Sequence, residues 1–342
     1  HEYAAGPGLV SRTLQDGDEA QLSVPAGWST PVGGGLHLVA DYQYDAQGRV
    51  RQVLGPEHDI DDVPVRTASW TVYQDADHET WSAQGYAVES ASSSSSSGGG
   101  PAYDYTLVNP VSIQKRSADG TRAESIQATR TSTSGRLAES DSFDQTSYVR
   151  WSVSLFNAAG QQTATRGYHT LPSAGDGASG THYDETRYGY DSLGRQNRVT
   201  SPGGTITRTV FDRHDRAVCT YVGTDDSGAS DSDPSAGREP CAAGASSSSS
   251  SAASGSGSAS NNMVLVSHQE YEDTGCTSCG GGGGGGQLVS TTLQVDAGTS
   301  RVTEFQYDWR GRREYVLPPA DQQGRTVYTR FYFDNLDQVI KV

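Results

Sequence analysis

The sequence predicts an all-β chain built from successive antiparallel hairpins, and three observations carry that prediction. Thr, Val and Tyr supply the β-forming content, including 18 tyrosines, whereas segments with a helix-forming makeup are few. Glycine is abundant at 41 residues, as expected of a chain with many tight turns. A short motif recurs between strand-like runs, and it reads as an aromatic residue followed by Asp-x-x-Gly-Arg.

The motif predicts a β-turn with a defined chemistry. In a type I turn, Asp favours the first position, where its carboxylate accepts bonds from backbone amides, and Gly favours the fourth, where positive φ is often required. The aromatic residue before each turn places a ring at a fixed point of each strand, so stacked hairpins would form a ladder of rings. The predicted turn residues are Tyr44, Asp45, Gly48 and Arg49; Tyr190, Asp191, Gly194 and Arg195; Phe211 and Asp212; Tyr307, Asp308, Gly311 and Arg312; and Phe333 and Asp334.

Several copies of the turn differ from the motif, and they do so at positions where a β-turn accepts other residues. Asp215 and Asp337 replace the glycine in two copies, and Asp adopts positive φ more readily than most residues. Asn157 replaces the aspartate before Gly160, and a weaker copy follows Tyr271. Copies spaced by roughly 20 to 35 residues indicate an array of one supersecondary unit.

The rest of the chain is predicted to be strands, insertions and linkers between these turns. Residues 1–40 form a turn-rich N-terminal segment in this interpretation, and residues 41–342 form the repeat region. Insertions are expected near 92–100, 223–262 and 276–286, where poly-Ser and poly-Gly tracts occur. Such tracts are either flexible linkers or placeholders for residues that were not identified.

Charge and hydropathy exclude several classes of partner. The formal net charge of −16 argues against a nucleic-acid partner, since phosphate contacts need clustered Lys and Arg. No apolar run approaches the roughly 18 to 20 residues needed to span a bilayer. The chain starts at His1 rather than Met, so we expect a processed protein or a segment of a longer one.

Several turn motifs resemble those of the YD-repeat, or RHS-repeat, family. The matching stretches are Tyr190-Asp191 with Gly194-Arg195, Phe211-Asp212 with Arg216, Tyr307-Asp308 with Gly311-Arg312, Phe333-Asp334, and the linker-like run from Arg198 to Thr205. The resemblance is strong over 186–222 and 287–342, fair around 40–55 and thin over 55–150. It implies a long curved sheet of hairpins, wound into a spiral or a hollow shell.

Together with the lack of a catalytic constellation in the sequence, the resemblance leads us to expect a function without catalysis or cofactors. We expect a secreted or cell-surface scaffold with a structural or adhesive role and a capacity to assemble into extracellular fibres. Its partners would be other copies, further repeats of the same chain, or a cell-surface protein or glycan. The alternative is a shell segment of a bacterial polymorphic toxin that encloses a C-terminal toxic domain. The family's self-cleavage motif has no convincing copy here, because Gly237 after Asp233-Pro234 is misplaced.

Few residues of the sequence are candidates for catalysis or metal binding. The Asp and Arg of each repeat could be an acid–base pair, but turn capping by Asp and ring coverage by Arg explain both residue types. The cysteines are Cys219, Cys241, Cys276 and Cys279, which permit two disulfides in three pairings. A zinc site on Cys276 and Cys279 would need a second such pair, so disulfides or free thiols are favoured.

Two further features of the sequence are candidate binding sites. The acidic loop 225–233 could bind Ca²⁺, but it lacks the ordered ligand spacing of a helix-loop-helix site, so a solvated loop is favoured. The five tryptophans are predicted to be core or cross-strand residues rather than a sugar-binding platform.

Overall fold

The computed structural model describes residues 2–3, 8–15, 38–61, 63–90, 102–239, 241, 261–272, 286–296, 299–321 and 324–342. The predicted poly-Ser insertions, nearly all of the poly-Gly tract, Cys276 and Cys279 lie outside the described residues. The chain divides into two compact units, His1–Glu185 and Thr186–Val342. The predicted division after residue 40 stays a prediction, because much of the segment before it is outside the described ranges.

The first unit is a succession of antiparallel strands, each paired with the next in the chain. One 3-10 turn, Gln145–Ser147, precedes β9. The strands are β1 (Glu2–Tyr3), β2 (Val10–Gln15), β3 (Leu38–Tyr44), β4 (Val50–Ile60), β5 (Val63–Gln74), β6 (Glu79–Glu89), β7 (Tyr103–Arg116), β8 (Arg122–Ala128), β9 (Tyr148–Phe156) and β10 (Gln162–Tyr168).

The second unit continues the same pattern from β11, which spans the boundary between the units. Each strand again pairs antiparallel with its successor up to β19, and β20 and β21 form a separate hairpin. The prediction of an all-β fold of successive antiparallel hairpins is therefore confirmed. The strands are β11 (Tyr183–Tyr190), β12 (Gln196–Thr200), β13 (Ile206–Phe211), β14 (Ala217–Gly223), β15 (Val264–Tyr271), β16 (Leu288–Asp296), β17 (Thr299–Tyr307), β18 (Arg313–Leu317), β19 (Thr329–Arg330), β20 (Tyr332–Phe333) and β21 (Val339–Lys341).

The core of the first unit lies on one face of its long central strands. In β5 the buried residues alternate as Ala68, Trp70 and Val72, because successive side chains point to opposite faces. Trp81 and Trp151 are also buried, which confirms the prediction for these tryptophans. Burial of each large apolar side chain contributes roughly 1.5 to 3 kcal/mol, so the sheet is held chiefly by this face.

The second unit has a smaller core around β13, β14 and the start of β15. Its buried residues include Val210, Cys219, Tyr221 and Met263. The prediction of a core role is wrong for Trp309, which is 84% exposed at a turn tip. The aromatic position that the motif fixes is the one before the turn, and Trp309 comes after the aspartate.

Candidate functional site

The aspartate of each described motif caps its own turn. Asp191 Oδ1 accepts the backbone amides of Leu193 and Arg195 at 3.0 and 2.9 Å. Asp191 Oδ2 accepts Arg195 Nε at 2.7 Å, and the Gly194 amide donates to the Asp191 carbonyl at 2.9 Å. Gly194 has a φ of +84°, a conformation that glycine adopts without steric cost. The turn thus uses every group that the sequence motif specifies.

The other copies repeat this arrangement. Asp45, Asp212 and Asp308 each accept two amides through Oδ1 and an arginine Nε at 2.7 Å through Oδ2. Asp334 likewise accepts two amides, from Leu336 and Gln338. The fourth turn residue has positive φ in each copy, at Gly48, Asp215, Gly311 and Asp337.

One further copy went unrecognised in the sequence. Asp321 accepts the Arg325 amide and the Arg325 Nε, both at 2.8 Å, and Gly324 has a φ of +73°. Ala320 precedes this turn instead of an aromatic residue, so the motif in its full form does not match. The shorter pattern Asp-x-x-Gly-Arg would have found it.

The arginine of a turn reaches the next hairpin. Arg195 Nη1 donates to the Asp212 carbonyl and to Asp215 Oδ1, both at 2.8 Å, and its guanidinium lies 4.9 Å from the centre of the Phe211 ring. Asp215 is therefore more than a tolerated replacement for glycine, because its carboxylate binds the arginine of the preceding turn. An ion pair and a cation–π contact therefore link the two successive hairpins.

The same link recurs elsewhere. Arg312 Nη1 donates to the Asp334 carbonyl at 3.0 Å and to Asp337 Oδ1 at 2.8 Å, and its guanidinium lies 4.8 Å from the Phe333 ring centre. In the first unit, both Nη atoms of Arg49 donate to the Asp75 carboxylate, at 2.7 and 2.8 Å. Arginines of these turns therefore lie over aromatic rings of a later hairpin, at Tyr73, Phe211 and Phe333, whereas the predicted ladder of stacked rings stays a prediction.

The electrostatics of the capping carboxylates disfavour proton transfer near neutral pH. Burial works to raise the pKa of Asp191, but the Arg195 amide and guanidinium and the Leu193 amide outweigh it and hold the pKa below the ordinary value. The same opposing causes lower the pKa of Asp212 and Asp308. A general acid or base works best with a pKa near the operating pH, and these groups are shifted away from it.

The acidic loop 225–233 after β14 is solvated in part, since residues 227–228 and 230–232 are exposed, but its Asp226 is bound to neighbouring strands. Asp226 accepts Arg198 Nε at 2.7 Å and Arg208 Nη1 at 3.1 Å. Pro234 and Ser235 are buried. Among the described residues, no cluster of three or more His, Cys, Asp or Glu could hold a metal ion. The arginines that bind these carboxylates lie on neighbouring strands, which the loop sequence alone does not reveal.

A disulfide closes this insertion. Cys219 in β14 is bonded to Cys241, with their Cα atoms 6.0 Å apart. This is one of the pairings that the sequence left open. Tyr221, also in β14 and fully buried, donates its hydroxyl to the Glu239 carbonyl at 2.8 Å, so the end of the insertion is fixed twice.

A cleft of about 750 Å³ lies in the first unit, over β4 and β5. Its lining includes the capped turn at Asp45 and the segment 136–140 of the long connection between β8 and β9. Its lining includes three arginines, two glutamines, two aromatic residues and three carboxylates: Arg49, Arg51, Arg136, Gln47, Gln52, Trp70, Tyr73, Asp45, Asp75 and Glu139. The motif predicted only the turn residues of this cleft.

No protein-family model and no curated protein sequence matches the chain. Among solved structures, similarity is found to a TcdB2-TccC3-Cdc42 complex, at 11% identity over 89% of this chain and 18% of that chain, with a TM-score of 0.34. A Photorhabdus luminescens Tc holotoxin pore gives 10% identity over 89% and 18% of the two chains, with a TM-score of 0.32. A TcdB2-TccC3-TEV structure gives 10% identity over 97% and 19%, with a TM-score of 0.26.

This chain spans less than a fifth of the length of those solved chains. Similarity at this level establishes neither the family nor the function. None of the helices in the described ranges is long and apolar enough to cross a membrane.

Proposed function

We propose that the chain is a non-catalytic structural scaffold, secreted or displayed at the cell surface. One observation carries the proposal: the recurring Asp and Arg side chains of the motif bind one another within the fold. Arg195 binds its own Asp191 at 2.7 Å and the next turn's Asp215 at 2.8 Å, and Arg312 binds Asp308 and Asp337 at the same two distances. Charges engaged on both sides serve to connect hairpins.

The proposal also accounts for the carboxylates of the cleft. Hydrolysis of a glycosidic bond needs two carboxyl groups that are free to face the scissile bond. Asp45 and Asp75 line the cleft, but both are bound by Arg49 at 2.7 Å. Their pairing suits a fixed wall better than a catalytic pair.

The disulfide supports an extracellular location. Disulfides persist in oxidising compartments and are rare in reducing ones. The Cys219–Cys241 bond joins β14 to the end of the acidic insertion, so it is part of the fold of the second unit. The disulfide favours an oxidising environment for the folded chain. On that basis we propose secretion or surface display.

Self-assembly is the part of the proposal that is simplest to test. Exposed strands with apolar side chains favour pairing with another chain, and Val339 and Ile340 in β21 are 51% and 66% exposed. Sedimentation velocity over a hundredfold range of concentration should show oligomers that grow with concentration. A strictly monomeric chain at the highest concentration would remove self-assembly from the proposal.

The shell segment of a bacterial polymorphic toxin is the second candidate, favoured by the resemblance of the turn motifs over 186–222 and 287–342. In this function the hairpins would enclose a toxic domain encoded downstream. The test is limited proteolysis of the complete gene product, in which a downstream domain should be protected until the shell is opened. A complete gene without a downstream domain, or one whose downstream domain is cleaved at once, would eliminate this candidate.

A further inference from the structure

The face of β5 to β9 that lies opposite the core of the first unit carries a row of polar side chains. Cross-strand pairing places one residue of each strand in this row: Thr71, Ser82, Ser112, Gln127 and Arg150. Each member of the row is next to a buried core residue in its own strand, so its side chain points away from the core. The row therefore crosses five strands on the side of the sheet that the core does not use.

A second row runs beside the first, two residues further along each strand. Its members are Tyr73, Thr80, Gln114, Ser125 and Ser152. The side chains of both rows are exposed or half-buried. We call the surface that these two rows form the polar face.

The polar face is almost free of charge, although the chain has 41 acidic residues and a net charge of −16. Neither row contains Asp or Glu, and Arg150, at one end of the first row, is their one charged member. Two copies of so acidic a chain repel each other wherever their carboxylates would meet. A second copy can approach the polar face without that repulsion.

The side chains of the polar face can also pair with their own kind. Hydroxyl and primary amide groups each donate and accept hydrogen bonds, whereas a carboxylate only accepts and a guanidinium group only donates. Ser82, Ser112 and Gln127 form no side-chain hydrogen bond within the described part of the chain, so they are available. A contact between two identical faces is isologous, and it brings such groups together across a two-fold axis. We propose that the polar face binds the polar face of a second copy, sheet against sheet.

The dimensions of the polar face fit a weak dimer. Ser69, Gln84 and Val108 continue it as a third row over β5 to β7. Strands about 4.8 Å apart and about 3.3 Å per residue give the three rows a plane of roughly 400 Å². Two such planes, with the relief of their side chains, bury on the order of 1,000 Å² in total, which is the lower limit for a specific interface. Twisted sheets pack face to face in this way in β-sandwiches.

This inference rests on the self-assembly within the proposed function and names a surface for it. Complete overlap of the two faces places the two-fold axis on β7, the middle strand of the five. Gln114 in β7 is exposed, so its side chain would lie close to the same side chain of the second copy. A charge at this position would therefore meet itself.

Sedimentation velocity of the full chain and its variants tests the proposal. The unmodified chain should show a monomer–dimer equilibrium within a hundredfold range of concentration. Gln114→Glu and Gln114→Lys should each weaken the dimer by about ten- to a hundredfold, because like charges then face each other in the interface. An equimolar mixture of the two variants should recover the dimer, because opposite charges then meet.

Gln47→Glu and Gln47→Lys are the matched controls, because Gln47 is an exposed glutamine of the first unit outside the polar face. They should leave the dimer unchanged. Thermal melting of each variant separates loss of association from loss of folding. Ser82→Glu and Ser82→Lys replace the Gln114 pair if its members fail to fold, since Ser82 is an exposed residue of the neighbouring strand β6.

Three results would overturn the proposal: a chain that stays monomeric, a dimer that tolerates both charges at Gln114, or a mixture of the two variants that stays monomeric. Ile340→Lys separates this face from β21, because a lysine on an exposed edge strand opposes pairing there. Oligomers that Ile340→Lys removes and that the Gln114 variants retain would refute the polar face and leave the self-assembly of the proposed function intact.

Discussion

Removal of the Cys219–Cys241 disulfide should destabilise the second unit while leaving the first unit unchanged. The two cysteines are 22 residues apart in the chain. The chain-entropy relation for a loop of this length gives a loss of about 3.4 kcal/mol at 25 °C. Cys219 is 2% exposed and packs in the core of the second unit, so the Cys219→Ala/Cys241→Ala variant also loses the contacts of a buried sulfur.

Hydrogen exchange of the full chain, read by mass spectrometry, measures this loss separately in each unit. Amides of β13 to β15 should become less protected in the variant, whereas amides of β5 to β7 should keep their protection. Tryptophan fluorescence is a poor substitute, because Trp70, Trp81 and Trp151 are buried in the first unit and Trp309 is exposed.

The single variant Cys241→Ala is the control, since it breaks the same bond without removing the buried sulfur of Cys219. Most of the destabilisation should already appear in it. The reasoning is refuted if protection of β13 to β15 falls by less than about 1 kcal/mol, well under the loop-closure value. It is also refuted if β5 to β7 lose protection equally.

Three further predictions concern the repeat turns. Asp191→Ala removes a carboxylate that accepts two amides and should lower the free energy of unfolding in urea by about 1 to 2 kcal/mol, while Asp191→Asn, which keeps an acceptor, should cost less. Equal losses would contradict capping. Gly194→Ala forces a side chain to a φ of +84° and should cost about 1 to 2 kcal/mol, whereas Gly203→Ala, at negative φ with open space around it, should be nearly neutral. Matching urea midpoints for these two variants would argue against the turn geometry. The folded-state pKa values of Asp191, Asp212 and Asp308 are lowered, so the stability they contribute is complete above the unfolded pKa of about 3.9 and is lost as the pH falls through the folded values. Urea midpoints that rise on acidification below pH ~4 would reverse the sign of this linkage.

The sequence predicted the features that depend on neighbouring residues. Asp, Gly and the preceding aromatic residue act within one turn, so the pattern at Tyr190 to Arg195 located the turn and its carboxylate cap. The position of a turn and its carboxylate cap depend on residues that are close together in the chain, so the sequence is enough to predict them.

Contacts between residues that are far apart in the chain could not be predicted from the sequence. The partner of Arg195 is 20 residues away at Asp215, and nothing in the turn itself indicates that pairing. Residues 55–150 match the motif poorly, yet they form the longest strands and the larger core, because β-branched and aromatic residues pack there without a repeated turn. The cleft depends on a loop that folds back over β4 and β5, which no local pattern specifies.

A double-mutant cycle on Arg195 and Asp215 tests the central claim most directly, namely that the motif's charges connect successive hairpins. Urea unfolding would be measured for Arg195→Ala, Asp215→Ala and the double variant, with Arg195→Ala combined with Glu304→Ala as the control pair. We predict that the double variant is less destabilised than the sum of its single variants, while the control pair is additive. Additive losses for Arg195 and Asp215 would contradict a structural link between the two hairpins.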